Sequence, residues 1–207
     1  MRIRMKKKNR IDDTPITHYA TDYDAVSSCT LCPTLGKAHV PSFGDPTSAI
    51  MIIGQSPGVQ EVQAGEPFVG PCGDMLEGML AEIPLAKEDV YIANSLKCHP
   101  PNNRAGKSGE LATCRRRWLT PEVKTIKPRA LVLLGRDAYS AALPKKHQST
   151  VPWGDLSHGL IRVSKSWSVY VVVSYHPAYW LRRGQPDQFN RIAPILREIY
   201  YKYMEEL

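Results

Sequence analysis

Cys29 and Cys32 stand as a C-x-x-C pair closed by Pro33, and Cys98 and Cys114 follow much later with 15 residues between them. Such a pair places two thiolates on one side of a tight turn. Two more thiolates from distant segments then complete a tetrahedral set, which suits zinc or an iron-sulfur cluster; buried, inert cysteines are the alternative. The chain shows no apolar stretch behind its N-terminal charges, so the cysteines point to metal or redox chemistry more than to disulfides. Cys72 stands apart, between Pro71 and Gly73.

Three further segments carry groups able to do chemistry. The first joins Gly54-Gln55-Ser56-Pro57-Gly58 to Gly65-Glu66-Pro67-Phe68-Val69-Gly70. Its glycines allow close backbone approach to a ligand, and Phe68 offers a stacking platform. No Gly-Lys-Ser or Gly-Lys-Thr follows, which argues against a simple nucleotide-phosphate loop. The second, Asn94 to Arg104, combines an amide, the cysteine at 98 and a polar loop. The third begins His176-Pro177 and runs through Tyr179, Trp180 and Leu181 to Arg182 and Arg183. Bulky apolar groups beside arginines suit wedging into a base stack while holding phosphates.

The elements that must position these groups are legible as apolar runs. Ala49 to Ile53, Val90 to Ala93, Ala130 to Leu134 and Val169 to Val173 read as strands covered on both faces, as in a parallel sheet. Helical spacing lies between them. It covers Met75, Leu76, Met79 and Leu80, then Leu111 to Ile126 with Pro121 bending or dividing it, then Asp137 to Leu143, and last Phe189 to Met204. Strands alternating with helices predict a three-layer α/β/α sandwich around a four-stranded parallel sheet. Ligands of such folds sit beyond the carboxyl ends of the strands, where Gly54 to Gly58, Asn94, Gly135-Arg136 and His176-Pro177 converge.

The 207 residues, 43% hydrophobic, suffice for one domain, and no apolar run reaches the roughly 18 residues a membrane span needs. The net charge of +7 suggests a polyanionic partner, but its distribution qualifies this. Of 27 basic residues six lie in the first ten positions, which leaves 21 against 20 acids elsewhere. We therefore expect a flexible basic arm over 1–24 and one globular domain over 25–207.

In their order and spacing these segments resemble the family 4 uracil-DNA glycosylases, the iron-sulfur branch of that superfamily. The family pattern runs Gly-Glu-Ala-Pro-Gly, Gly-x-Pro-Phe-Val-Gly-x-Ala-Gly, Asn-x-x-Lys-Cys-x-Pro-Pro-x-Asn-Arg and His-Pro-Ser, and its counterparts here span roughly 25 to 207. The resemblance implies a [4Fe-4S] cluster on Cys29, Cys32, Cys98 and Cys114, with zinc as the alternative. It implies that Phe68 stacks on an extruded base, that Asn94 reads its Watson-Crick edge, and that backbone around Gln55 and Ser56 helps hold it. His176 would stabilise charge on the departing base, while Glu61 and Asn103 would orient water or support the sugar cation. Arg104, Tyr179, Trp180, Leu181, Arg182 and Arg183 would contact DNA. The protein so implied is a monomeric, monofunctional glycosylase, cytoplasmic and nucleoid-associated in a prokaryote or phage setting, that acts on DNA containing a target base.

Departures bear on substrate. Gln55 replaces the usual acid, Ser56 the following alanine, Val62 the acid after Glu61, Cys72 an alanine, and Ala178 the serine of His-Pro-Ser. Two alternatives to uracil excision follow: a glycosylase for a modified or bulky pyrimidine, as in defence against phage DNA, and a catalytically weak damage-binding module.

Overall fold

The computed structural model describes residues 26–35, 38–164 and 166–205. The expected basic arm over 1–24 lies outside the described residues. Six strands form one sheet: β1 (Phe43–Gly44), β2 (Ile50–Gly54), β3 (Tyr91–Asn94), β4 (Ala130–Leu134), β5 (Leu156–Arg162) and β6 (Ser168–Ser174), in the order β1-β3-β2-β4-β6-β5. The expected four-stranded sheet is thus corrected to a six-stranded mixed one. The four apolar runs occupy the inner positions and pair in parallel. β1 and β5 add antiparallel edges. β5 escaped the apolar-run criterion because only Ile161 of its seven residues is buried; its backbone ladder to β6 holds it.

Alternation along β2 shows why the sheet is covered on both faces. Ile50 and Ile52 enter one core with Leu76, Met79 and Leu80, while Met51 and Ile53 enter the other with Leu119, Ala138 and Tyr139. The first core is closed by α2 (Pro71–Ala81) and α7 (Ala193–Glu205), preceded by a short α1 (Val59–Ala64). The second is closed by α4 (Thr120–Ile126) and α5 (Arg136–Ala142).

The predicted helix from Leu111 to Ile126 is one rod with a wide turn in it. α3 (Ser108–Cys114) passes through a π-helical stretch, Arg115–Leu119, before α4 begins. Pro121 explains the widening: its ring crowds the carbonyl four residues back, and the Thr120 N–H reaches Arg115 O, five residues back. The predicted last helix, Phe189 to Met204, starts as a 3₁₀ turn over Pro186–Ile192 and becomes α-helical at Ala193. α6 (Pro177–Arg182) follows β6 directly and opens at the His176 N-cap.

Candidate active site

The carboxyl ends of β2, β3 and β6 meet around one small volume. Parallel register sets Gly54 beside Asn94, the last residue of β3. A Cβ on Gly54 would lie 2.3 Å from Asn94 Oδ1 and 2.7 Å from the nearest Phe68 ring carbon, so glycine is required there. Asn94 is 3% exposed and its Nδ2 has no hydrogen-bond partner. Leaving a buried N–H group unpaired costs about 1–3 kcal/mol, so the position calls for an explanation.

Phe68 is held in place from both sides of its peptide unit. Its φ of 53° is a strained value for a non-glycine residue. The Glu61 carboxylate accepts its N–H, and its carbonyl accepts from Lys87 Nζ at 2.9 Å. Lys87 is itself buried and paired with Glu66 at 2.5 Å. Lys87, unlike Phe68 and Glu61, was not singled out in the sequence; a lone lysine well beyond the loop it supports gives no local pattern. The Phe68 ring then faces that of His176, 5.5 Å between centroids and 28° between planes.

His176 is neutral in this setting. Burial lowers its pKa to about 4, and the Arg182 charge acts in the same direction. Its Nδ1 accepts the Ala178 N–H at 3.3 Å, which leaves the proton on Nε2 as a donor.

Glu61, expected to orient water, is fixed on the same loop. One oxygen accepts the Phe68 N–H and the other the Gly58 N–H, closing the first turn of α1. Each oxygen keeps a second lone pair. Burial pushes this carboxyl up, opposed by those two N–H groups, Lys87 and the adjacent Asn94 amide. Cys72 belongs to the same neighbourhood: burial and then Glu61 push its thiol up to about 11, while Arg182 and the Ala178 N–H oppose them. It is therefore a protonated, inert thiol at neutral pH.

Gln55 and Ser56 are half-buried. The Gln55 carbonyl accepts the Leu96 N–H at 3.0 Å, and its side chain lies against Gly135. Asn103, with φ 52°, sits exposed on the turn Pro101–Asn103. Arg104, expected on DNA, grips Glu110 with both terminal nitrogens at 2.8 and 2.7 Å, because the loop 104–107 brings it back to the first turn of α3, where Glu110 sits. The pairing holds the Glu110 carboxyl down at about 2. Trp180, also expected on DNA, is 7% exposed and packs in the first core; the helical turn that exposes Arg182 and Arg183 turns it inward. Tyr179 and Leu181 are half-buried beside it.

The four cysteines come together at the other end of the β3 loop. Cys98 and Cys114 pack with Val26, Leu35, Leu96 and Trp118, and Cys29 and Cys32 lie against them. All four are free thiols. Residues on either side of His39 pair with the segment 97–99, through Val40 N–H to Lys97 O at 2.8 Å and His99 N–H to Ala38 O at 2.9 Å, which brings the C-x-x-C turn to Cys98. Burial, reinforced by Cys114, Cys29 and Cys32, pushes the Cys98 thiol up to about 12. The Lys97 N–H points at Cys114 Sγ, 3.3 Å away. Among the described residues no three His, Cys, Asp or Glu side chains are placed to hold a metal ion as they stand.

An amide, a neutral imidazole and an aromatic ring are thus fixed side by side near the carboxyl ends of the strands, where an α/β enzyme receives its ligand. The chain belongs to the uracil DNA glycosylase superfamily, whose sequence model matches residues 41–199. It is similar to the type-4 uracil-DNA glycosylase of Saccharolobus solfataricus, 34% identical over 89% of this chain and 84% of the relative. The type-4 enzyme of Archaeoglobus fulgidus is 37% identical over 77% and 81%. A type-5 uracil-DNA glycosylase of Pyrobaculum aerophilum is 30% identical over 67% and 65%. Among the described residues no helix is long and apolar enough to cross a membrane.

Proposed function

We propose that the protein excises uracil from DNA by hydrolysing the N-glycosidic bond and leaves an abasic site. The observation that carries this reading is the Asn94 amide at the end of β3, buried beside Glu61 with no hydrogen-bond partner within reach of its Nδ2. An amide accepts from uracil N3–H and donates to O4, whereas cytosine presents the opposite pattern. A buried site of this kind can discriminate by about 10⁴ to 10⁵.

Cleavage leaves negative charge on the departing uracil, part of it on O2. The neutral His176, with Nε2–H as donor, supplies a fixed dipole for that charge without first having to lose a proton. Phe68 gives the base an aromatic wall. Glu61 holds the Phe68 loop and puts carboxylate charge beside the site, where its remaining lone pairs are available to a water attacking the sugar cation. Asn103 and the arginines at 182 and 183 belong to the DNA-facing side of this reading, and Arg104 to its internal bracing.

Cys29, Cys32, Cys98 and Cys114 would hold a [4Fe-4S] cluster, and the donor set fits: four free thiols in one apolar nest, with a backbone N–H directed at one sulfur. Such a group would fasten the N-terminal turn, the loop after β3 and α3 to one another.

The test is base release from duplexes carrying uracil, thymine or modified cytosines. Uracil release is expected, with Asn94→Asp impairing it. Release of a modified pyrimidine without uracil would transfer the assignment to that base. DNA binding without any release would make the protein a damage-binding module.

A further inference from the structure

Beside the pocket runs a series of side chains that none of the roles above uses in full. The Arg136 guanidinium lies over the Trp153 ring at 5.5 Å, and Trp153 meets Tyr175 edge-on at 5.5 Å and 89°. Tyr175 stacks on Tyr179 at 4.2 Å and 19°, and the Arg183 guanidinium covers Tyr179 at 5.4 Å. The three rings are half-buried and both arginines are exposed. Arg136 follows the end of β4, while Tyr175 and Tyr179 flank His176, so the series crosses the rim on which the pocket opens.

A guanidinium resting on a ring gains about 0.5–1 kcal/mol at an exposed site and keeps its N–H edge free, in the geometry that matches phosphate. Neither arginine has a carboxylate partner among the described ion pairs. Asp137, next to Arg136, accepts the Gly106 N–H, and Asp155, near Trp153, pairs with Arg191 at 2.5 Å; Asp187, the acid nearest Arg183 in sequence, is in none of the described ion pairs. Rings in series also fix how far apart the two cations stand, which free side chains would not.

We propose that Arg136 and Arg183 are a pair of phosphate clamps, set apart by the Trp153-Tyr175-Tyr179 series, that grip the DNA backbone on either side of the extruded nucleotide. This rests on DNA being the substrate. It adds Arg136, Trp153 and Tyr175 to the binding surface and gives Tyr179 a supporting task in place of a wedge.

The test is the salt dependence of binding to an oligonucleotide carrying a non-cleavable uracil nucleotide, measured beside uracil release from a cleavable one. Arg136→Gln and Arg183→Gln should each reduce the slope of log K against log salt by about 0.9 on duplex, or about 0.7 on single strands. Trp153→Leu should reduce it as Arg136→Gln does, and the double variant should fall no further. Lys124→Gln removes a charge on α4, outside this rim, and should leave the slope unchanged. Equal slopes in the unaltered chain and both arginine variants would overturn the clamp, as would an equal drop with Lys124→Gln. If the unaltered chain releases no uracil, the proposed activity fails, and the slopes still decide the clamp.

Discussion

Gly54 has no room for a side chain, and the two groups that would meet one are Asn94 Oδ1 and the Phe68 ring. Gly54→Ala should therefore fold, at a cost of about 1–3 kcal/mol for overpacking, yet release uracil at least about a hundredfold more slowly because both groups are displaced. Single-turnover rates beside a thermal melt separate the two effects. His176 makes a pH prediction. Its native pKa of about 4 lies below the ordinary histidine value near 6.5, so the imidazole stays neutral and the rate level above about pH 6. Burial pushes the Glu61 carboxyl up as well, so its protonation adds to the acid limb, and Glu61→Gln should remove that part. Stability follows the same sign for the histidine: between its unfolded and native pKa values the unfolded chain binds the proton first, so the native state loses ground as pH drops through that window. Asn94 and His176 were legible in the sequence because each sits at or just past an apolar run. The burial of Trp180 and the capture of Arg104 were not, since both depend on which way a short helix or turn faces.

The loop after β3 is tied to α4 by a buried ion pair, Lys97 with Glu122 at 2.9 Å, 1% and 2% exposed. Ser42 accepts from the same ammonium and in turn donates to Glu122 at 2.8 Å. Removing one partner strands a charge in the interior, so Lys97→Met should cost about 3–5 kcal/mol, whereas Lys97→Met with Glu122→Leu should recover most of it. A double-mutant cycle by denaturant titration measures this; an additive result would show that the two charges do not depend on each other. The inner strands were readable because both of their faces are apolar. β5 was not, because a strand held by its ladder along a solvent edge carries no pattern that distinguishes it from a loop. The widened turn before Pro121 was visible only as a proline in a helical period.

Charge and cysteines are properties of the whole chain that the fold resolves into places. The net charge of +7 owes most of its excess to the first ten residues. Deleting 1–10 should weaken DNA affinity at low salt and flatten its salt slope, while uracil release at saturating DNA and iron content stay as they were. An unchanged slope would make the arm a bystander. The five cysteines divide in the same way. Cys98→Ala should lose iron and sulfide together and lower the melting temperature, because three segments distant in sequence meet at that nest. Cys72→Ser should keep both, since Cys72 lies by Glu61 and Ala178. Iron content that survived Cys98→Ala would reassign the ligand set.

The π-helical stretch Arg115–Leu119 gives the chain an unusual tolerance. Deleting one residue from an ordinary α-helix rotates everything beyond it by about 100°. Here the rod already carries one residue more than α-helical spacing requires between Cys114, which faces the cysteine nest, and Glu122, which faces Lys97. Loss of exposed Arg116 would let the wide turn relax to ordinary pitch with both ends still aimed at their partners. The same shortening within α4 would swing the turns beyond it away from the second core. The widened turn is thus an insertion site already filled, and the one position in this rod where the chain can change length without losing register.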